Sequence, residues 1–180
     1  MSSPFVDLDG CPIPLSRVLG YGRTGVVISH DDTAAVKLPI RWAGDTGSDF
    51  DMNLVSLRRE QDIYIGARIG RCSGIVPCVG CSGMAIELEW MKNGDLRSYP
   101  TQCRPLRPFQ LSWFRDMARA LAHTHDRRVL VADIASRNFL QDSNLRNKPR
   151  KAKPRSHNAD EGKQVRSRGR DYWVVLGGVV

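Results

Sequence analysis

Apolar and polar positions along the chain follow two periods. Residues 26–29 and 34–38 are short apolar, β-prone runs separated by His30-Asp31-Asp32-Thr33, whose composition predicts a turn, so the two form a hairpin. Residues 15–21 read as the strand before it. Residues 41–51, rich in Gly and Asp, read as a loop. From about residue 51 to 68 the period changes: Leu57, Glu60, Tyr64 and Ala67 stand at steps of three, four and three along one helical face. Residues 74–81 and 84–89 read as further strands. A Pro-containing linker over 101–108 then leads into a second helix, about 108–126, whose stripe Leu111, Phe114, Ala118, Leu121 and His125 is expected to pack into the core. The first fourteen residues, polar with Pro and Gly, are expected to be a flexible lead-in. The pattern predicts an α+β fold: about five strands of an antiparallel sheet with one helix, followed by a second helix.

After Leu145 the pattern stops, because almost no apolar residue occurs until Tyr172. A segment of that composition buries too little surface to offset its chain entropy, so 146–180 is expected to be a disordered tail. Its last residues, from Tyr172, are apolar and β-prone and could pair with a sheet edge. The net charge of +8 belongs to this tail. Ten of the 27 Lys and Arg lie in 146–170 against two of the 19 acids, so the rest of the chain balances at seventeen of each. Affinity for nucleic acid, or a nuclear-import role, is thus expected only of the tail.

No apolar run approaches a membrane span or a secretory signal, so a soluble cytoplasmic chain, with the nucleus as the alternative the tail adds, is expected. Five cysteines without a secretory signal predict reduced thiols. Cys78-Val79-Gly80-Cys81 is a C-x-x-C, a spacing open to half a zinc site or a redox pair; a zinc site needs two more ligands at comparable spacing, only the isolated Cys72 and Cys103 remain, and plain structural thiols are the expectation. His123 and His125 lack partners at metal spacing and read as structural.

The most informative stretch is Leu19-Gly20-Tyr21-Gly22-Arg23-Thr24-Gly25-Val26-Val27, followed one hairpin later by Ala35-Val36-Lys37. Glycines at 20, 22 and 25 allow positive φ and close approach of backbone N–H groups to an anion. Neither a Rossmann helix nor a Walker Gly-Lys-Ser/Thr follows. The register of Gly20, Gly22, Gly25, Val27, Ala35 and Lys37 resembles that of the protein kinases. The resemblance implies that Lys37 reaches nucleotide phosphates and that Glu60 pairs with it. Leu88 stands at the gatekeeper position, and the backbone of Glu89 and Met91 at the adenine-reading hinge. Val27 and Ala35 would lie above the adenine and Leu140 below it.

Farther on, Asp133 and Asn138 stand at the separation of the kinase catalytic loop, where a carboxylate accepts the substrate hydroxyl proton and an amide oxygen holds Mg²⁺. Val131 and Ala132 replace the family's His and Arg. Ala135 stands where serine/threonine kinases carry Lys, and Arg137 where tyrosine kinases carry Arg, so Arg137 is expected to take over charge stabilisation. The stretches at 89–99 and 132–140 are most similar to divergent kinase-like proteins of fungi. The resemblance spans about 15–145 and implies a kinase-like fold, a five-stranded antiparallel N-lobe sheet with one helix over 15–92 and the beginning of a helical C-lobe over 93–145. The D-F-G magnesium ligand is not recognisable after it, and Asp160-Glu161-Gly162 lacks the preceding apolar strand. The expectation is an ATP- and Mg²⁺-dependent kinase domain acting on protein hydroxyls, incomplete after its catalytic loop. The alternatives are a nucleotide-binding pseudokinase or scaffold, and a chain whose basic tail is the functional part.

Overall fold

The computed structural model describes residues 2–45, 47–66, 72, 74–98, 107–131, 133–141 and 172–174. The chain opens not with a loose lead-in but with a hairpin, β1 (Ser2–Val6) and β2 (Pro12–Pro14). Asp7 makes the turn: its Oδ1 accepts the amides of Asp9 (3.0 Å) and Cys11 (2.8 Å), and Gly10 supplies a φ of 84°. Such side-chain bonds stand in for backbone pairing in a tight turn. The hairpin survives because it is buried on one side. Phe5 is 2% exposed and Ile13 3%.

A short 3₁₀ turn, Leu15–Arg17, replaces the start of the expected first strand, which begins only at Val18. Then follow β3 (Val18–Tyr21), β4 (Gly25–Ser29) and β5 (Ala34–Pro39). Helix α1 (Ser48–Ile65) comes next, then β6 (Cys78–Ser82) and β7 (Ala85–Glu89). The five strands β3 to β7 form one antiparallel sheet in the order β3-β4-β5-β7-β6. The β4–β5 turn is held by Asp31, whose Oδ1 accepts the amides of Thr33 and Ala34.

Alternation along the strands explains why β4 and β5 are buried on both faces. Val26, opposite Leu38, and Ile28 face one way, where Phe5, Ile13 and Ile40 complete a cluster under the N-terminal hairpin. Val27, opposite Lys37, and Ile86, opposite Lys37 from the other side, share the second face. That face is covered by α1 through Leu57, which packs with Val76, Ile86 and Leu88. Helix α1 starts at Gly47 in a left-handed conformation, with Asp49 and Asp51 favourably placed at its positive end.

Helix α2 (Arg107–Asp126) is anchored mainly by a stripe other than the expected one, of which Leu121 alone packs into the core. Trp113, Met117 and Ala120 pack on Phe139, whereas Leu111 and Phe114 are 62% and 63% exposed and His125 is exposed. Beyond it, β8 (Phe139–Gln141) pairs antiparallel with β9 (Tyr172–Val174), which also lies against α2. The disorder expected of 146–180 therefore does not hold for 172–174; its remaining residues, with Asp160-Glu161-Gly162, lie outside the described ones. No helix among the described residues is long and apolar enough to cross a membrane.

Candidate functional site

Lys37 sits mid-strand on the α1 face of the sheet, with Val27 and Ile86 beside it, so its side chain starts in an apolar layer. Glu60 reaches the same layer from α1, one turn on from Leu57. Lys37 Nζ donates to Glu60 Oε2 at 2.5 Å, with the two side chains only 11% and 5% exposed. Burial lifts the Glu60 carboxyl above the usual carboxylate range, and the Lys37 ammonium offsets part of that. Among the described residues Glu60 Oε1 has no hydrogen-bond partner. A pair so placed holds the ammonium at a fixed point, with donor capacity to spare: an ammonium carries three protons and one goes to Glu60.

The glycine-rich turn lies over this lysine. A Cβ at Gly25 would come within 2.8 Å of Lys37 Cε and 3.3 Å of the Leu38 carbonyl, so only glycine lets the side chain pass. The turn is tied down at its far end. Gly22 N donates to Gly25 O at 2.8 Å, Ile40 N to Thr24 O at 3.0 Å, and Ser56 on α1 to Thr24 Oγ1 at 3.4 Å. None of Gly20, Gly22 and Gly25 uses the positive φ that glycine allows, and a Cβ on Gly20 or Gly22 would meet nothing within 4 Å. Glycine is thus demanded at 25 by close approach, while 20 and 22 leave open space above the turn.

The expected adenine-contacting residues divide between sheet and loop. Ala35 pairs directly with Leu88 across β5 and β7, diagonal to Val27. Leu88 (3% exposed) and Met91 (4%) belong to one apolar cluster, and Leu140 packs against it from β8. The connecting segment is pinned: Glu89 N donates to Pro77 O (3.0 Å), Trp90 N to Thr33 O (2.8 Å) and Gly94 N to Met91 O (3.1 Å). The Met91 amide is not spent in these bonds. Segment 94–96 is stitched to β8 through Leu96 N to Phe139 O and Gln141 N to Gly94 O.

Asp133, Arg137 and Asn138 meet in one turn. Arg137 Nη2 donates to Asp133 Oδ2 at 2.6 Å, both side chains nearly half exposed. Asn138 Nδ2 donates to the Asp133 carbonyl at 2.7 Å, and its amide to Ala135 O at 2.9 Å. With Nδ2 spent on that carbonyl, the acceptor oxygen is the part of the Asn138 side chain this bond leaves unused. Val131, expected from the resemblance to stand in for a histidine, is 7% exposed and packs with Ile75 and Val129; Ala132 lies outside the described residues. A hard cation wants six oxygens. Among the described residues no group of three or more His, Cys, Asp or Glu converges, so Asn138 would be one protein ligand among phosphate and water oxygens.

Two supports of the site escaped sequence reasoning. Phe5 stacks against Tyr21, inside the glycine-rich turn (ring centroids 5.1 Å), and against Trp42 beyond β5 (4.8 Å), so the N-terminal hairpin braces the turn from behind. The signal was the Asp7-Leu8-Asp9-Gly10 turn between two apolar residues. Gln61, next to Glu60, donates to the carbonyls of Ser82 and Ala85 at 2.9 Å each, locking α1 to the β6–β7 turn. No signal in a polar run such as 58–62 separates it from its neighbours. No protein-family model matches the chain, and no curated protein matches its sequence.

Proposed function

We propose that this chain binds the phosphates of ATP beneath its glycine-rich turn and is a protein kinase-like phosphotransferase acting on protein hydroxyl groups. The observation that carries this reading is the buried Lys37–Glu60 pair directly under Gly25, reached independently from the kinase-like register of the sequence. A lysine buried at this depth needs a standing reason, and a fixed ammonium beneath a glycine-rich turn is suited to a polyphosphate. Lys37 holds phosphate oxygens, Glu60 fixes the ammonium, and Ala35, Val27, Leu88 and Leu140 offer apolar surface to a base. Asp133 accepts the proton of the incoming hydroxyl. Arg137, once released from Asp133, faces the charge that develops on the transferred group. Asn138 holds the loop through the Asp133 carbonyl. Magnesium, when bound, supplies charge neutralisation at the phosphates, with the Asn138 oxygen as its ligand from this chain.

A second reading, nucleotide binding without transfer, is favoured by one contact: Arg137 occupies an oxygen of the candidate base at 2.6 Å. Thermal unfolding with ATP, with and without Mg²⁺, tests the binding they share, since a ligand of the folded state alone must raise its stability. ATP is expected to raise the midpoint of the wild type and to leave Lys37→Met and Gly25→Ala unmoved. A wild-type transition indifferent to ATP overturns both readings. Phosphate transfer to a generic protein substrate, lost in Asp133→Ala, then separates the first from the second.

A further inference from the structure

The C-x-x-C on β6 takes no part in the nucleotide reading, and its geometry is not that of two residues on a regular strand. Residues three apart on a strand face opposite sides of the sheet. Here the register slips between Cys78 and Gly80: Cys78 lies opposite Leu88, Gly80 opposite Glu87 and Cys81 opposite Ile86. Leu88 and Ile86 share one face of β7, so the bulge puts both cysteines on that face, and both pack against the apolar cluster there. Their sulfurs are 3.5 Å apart, and Cys78 Sγ also donates to the Gly80 carbonyl at 3.4 Å. Bulges redirect a side chain in this way at sheet edges, and β6 is one of the two edge strands of the five. Both thiols are only partly buried, so a small reagent has a route to them.

We infer that Cys78 and Cys81 form a dithiol–disulfide site, oxidised within one strand by low-molecular-weight disulfides of the glutathione class and reduced by the corresponding thiols. Two sulfurs without a third metal-type ligand among the described residues can carry this chemistry unaided. The exchange balances in two steps. The Cys81 thiolate attacks one sulfur of glutathione disulfide, forming a mixed disulfide and releasing one glutathione thiolate, which takes up a proton. Cys78 then loses its proton and attacks the Cys81 sulfur, and the second glutathione leaves as a thiol. The protein gives up two electrons, and one glutathione disulfide becomes two glutathiones. The order follows from the surroundings. Burial first, then the neighbouring Cys81, pushes the Cys78 thiol up to about 12, so at neutral pH it stays protonated and acts second, helped by being held beside its target. The closed disulfide staples the bulge across the strand positions that pair with Ile86 and Leu88.

The inference does not depend on nucleotide binding, and its test does not use it. The full chain is equilibrated in reduced and oxidised glutathione mixtures, natively and in urea, quenched with an alkylating reagent, digested and weighed. The native monomer is expected to lose two alkylatable thiols together, both in the peptide holding Cys78 and Cys81, reversibly with dithiothreitol, and at a lower disulfide-to-thiol ratio than in urea. Cys78→Ser is expected to stop at glutathione on Cys81. The inference is overturned if both cysteines stay alkylatable throughout, if each ends as a separate glutathione adduct, if either pairs with Cys11, Cys72 or Cys103, or if pairing is easier in urea.

Discussion

Lys37, Glu60 and Gly25 carry the physical content of the site. An ion pair this deep is expensive to assemble, and removal of one partner strands the other in an apolar layer at a cost of about 3–5 kcal/mol. Its titration gives a prediction with a definite sign. Because burial raises the Glu60 carboxyl above its ordinary 4.5, the folded chain binds that proton more tightly than the unfolded chain does. The contribution of Glu60 to stability is therefore fully present below the ordinary glutamate range, and is lost as pH rises through the window between 4.5 and the folded-state value. Asp31 works the other way. Its turn bonds to Thr33 and Ala34 lower its pKa below 3.8, so its contribution is present above that value and disappears only in stronger acid. Urea midpoints measured from pH 4.5 upward isolate Glu60: the wild type is expected to lose stability across the window, and Glu60→Gln to flatten the slope. A wild-type slope unchanged in Glu60→Gln contradicts the assignment.

At the scale of elements, the N-terminal hairpin is the piece on which the sheet depends most unexpectedly. Without it, Val26, Ile28 and Leu38 would face water. Phe5→Ala removes the ring that fills the space between Tyr21 and Trp42 and is expected to destabilise the chain by ~3–5 kcal/mol in chemical denaturation. Leu8→Ala, in the same hairpin but 40% exposed, should stay within ~0.5 kcal/mol. An equal effect of the two would mean that the hairpin does not cap the core. The hairpin was hard to see in the sequence because its Pro, Asp and Gly residues have loop composition, and its apolar residues are too few for a period. Strands β4 and β5 were legible as short β-prone apolar runs either side of a polar turn, and helix α1 by its i, i+3, i+4 face. Helix α2 was legible as a helix, but it carries two apolar stripes, and periodicity cannot choose between them. The choice is made by Leu96 and Phe139, which pack on the Trp113 side. In the site, the pairing of Lys37 with Glu60 was legible through the kinase resemblance. The need for glycine at 25 was not, since it arises from a lysine side chain twelve residues away.

For the whole molecule, the stripe that α2 does not bury meets the uneven distribution of charge. Leu111 and Phe114, one turn apart and each more than 60% exposed, form an apolar surface of the kind that drives association. Outside 146–170 the chain is formally neutral, so that segment supplies the net charge by which copies repel one another. Added salt shortens the range of that repulsion to about 8 Å near physiological strength while leaving apolar contact intact. Self-association of the wild type is therefore expected to rise with salt, the opposite of association driven by charge pairing. The double substitution Leu111→Lys and Phe114→Glu should abolish the rise while shifting stability by no more than ~1 kcal/mol, because neither side chain is in the core. Sedimentation at two salt concentrations, paired with thermal unfolding of both proteins, reads the two effects separately. Association that falls with salt, or that persists in the variant, would place the sticking surface elsewhere than on α2.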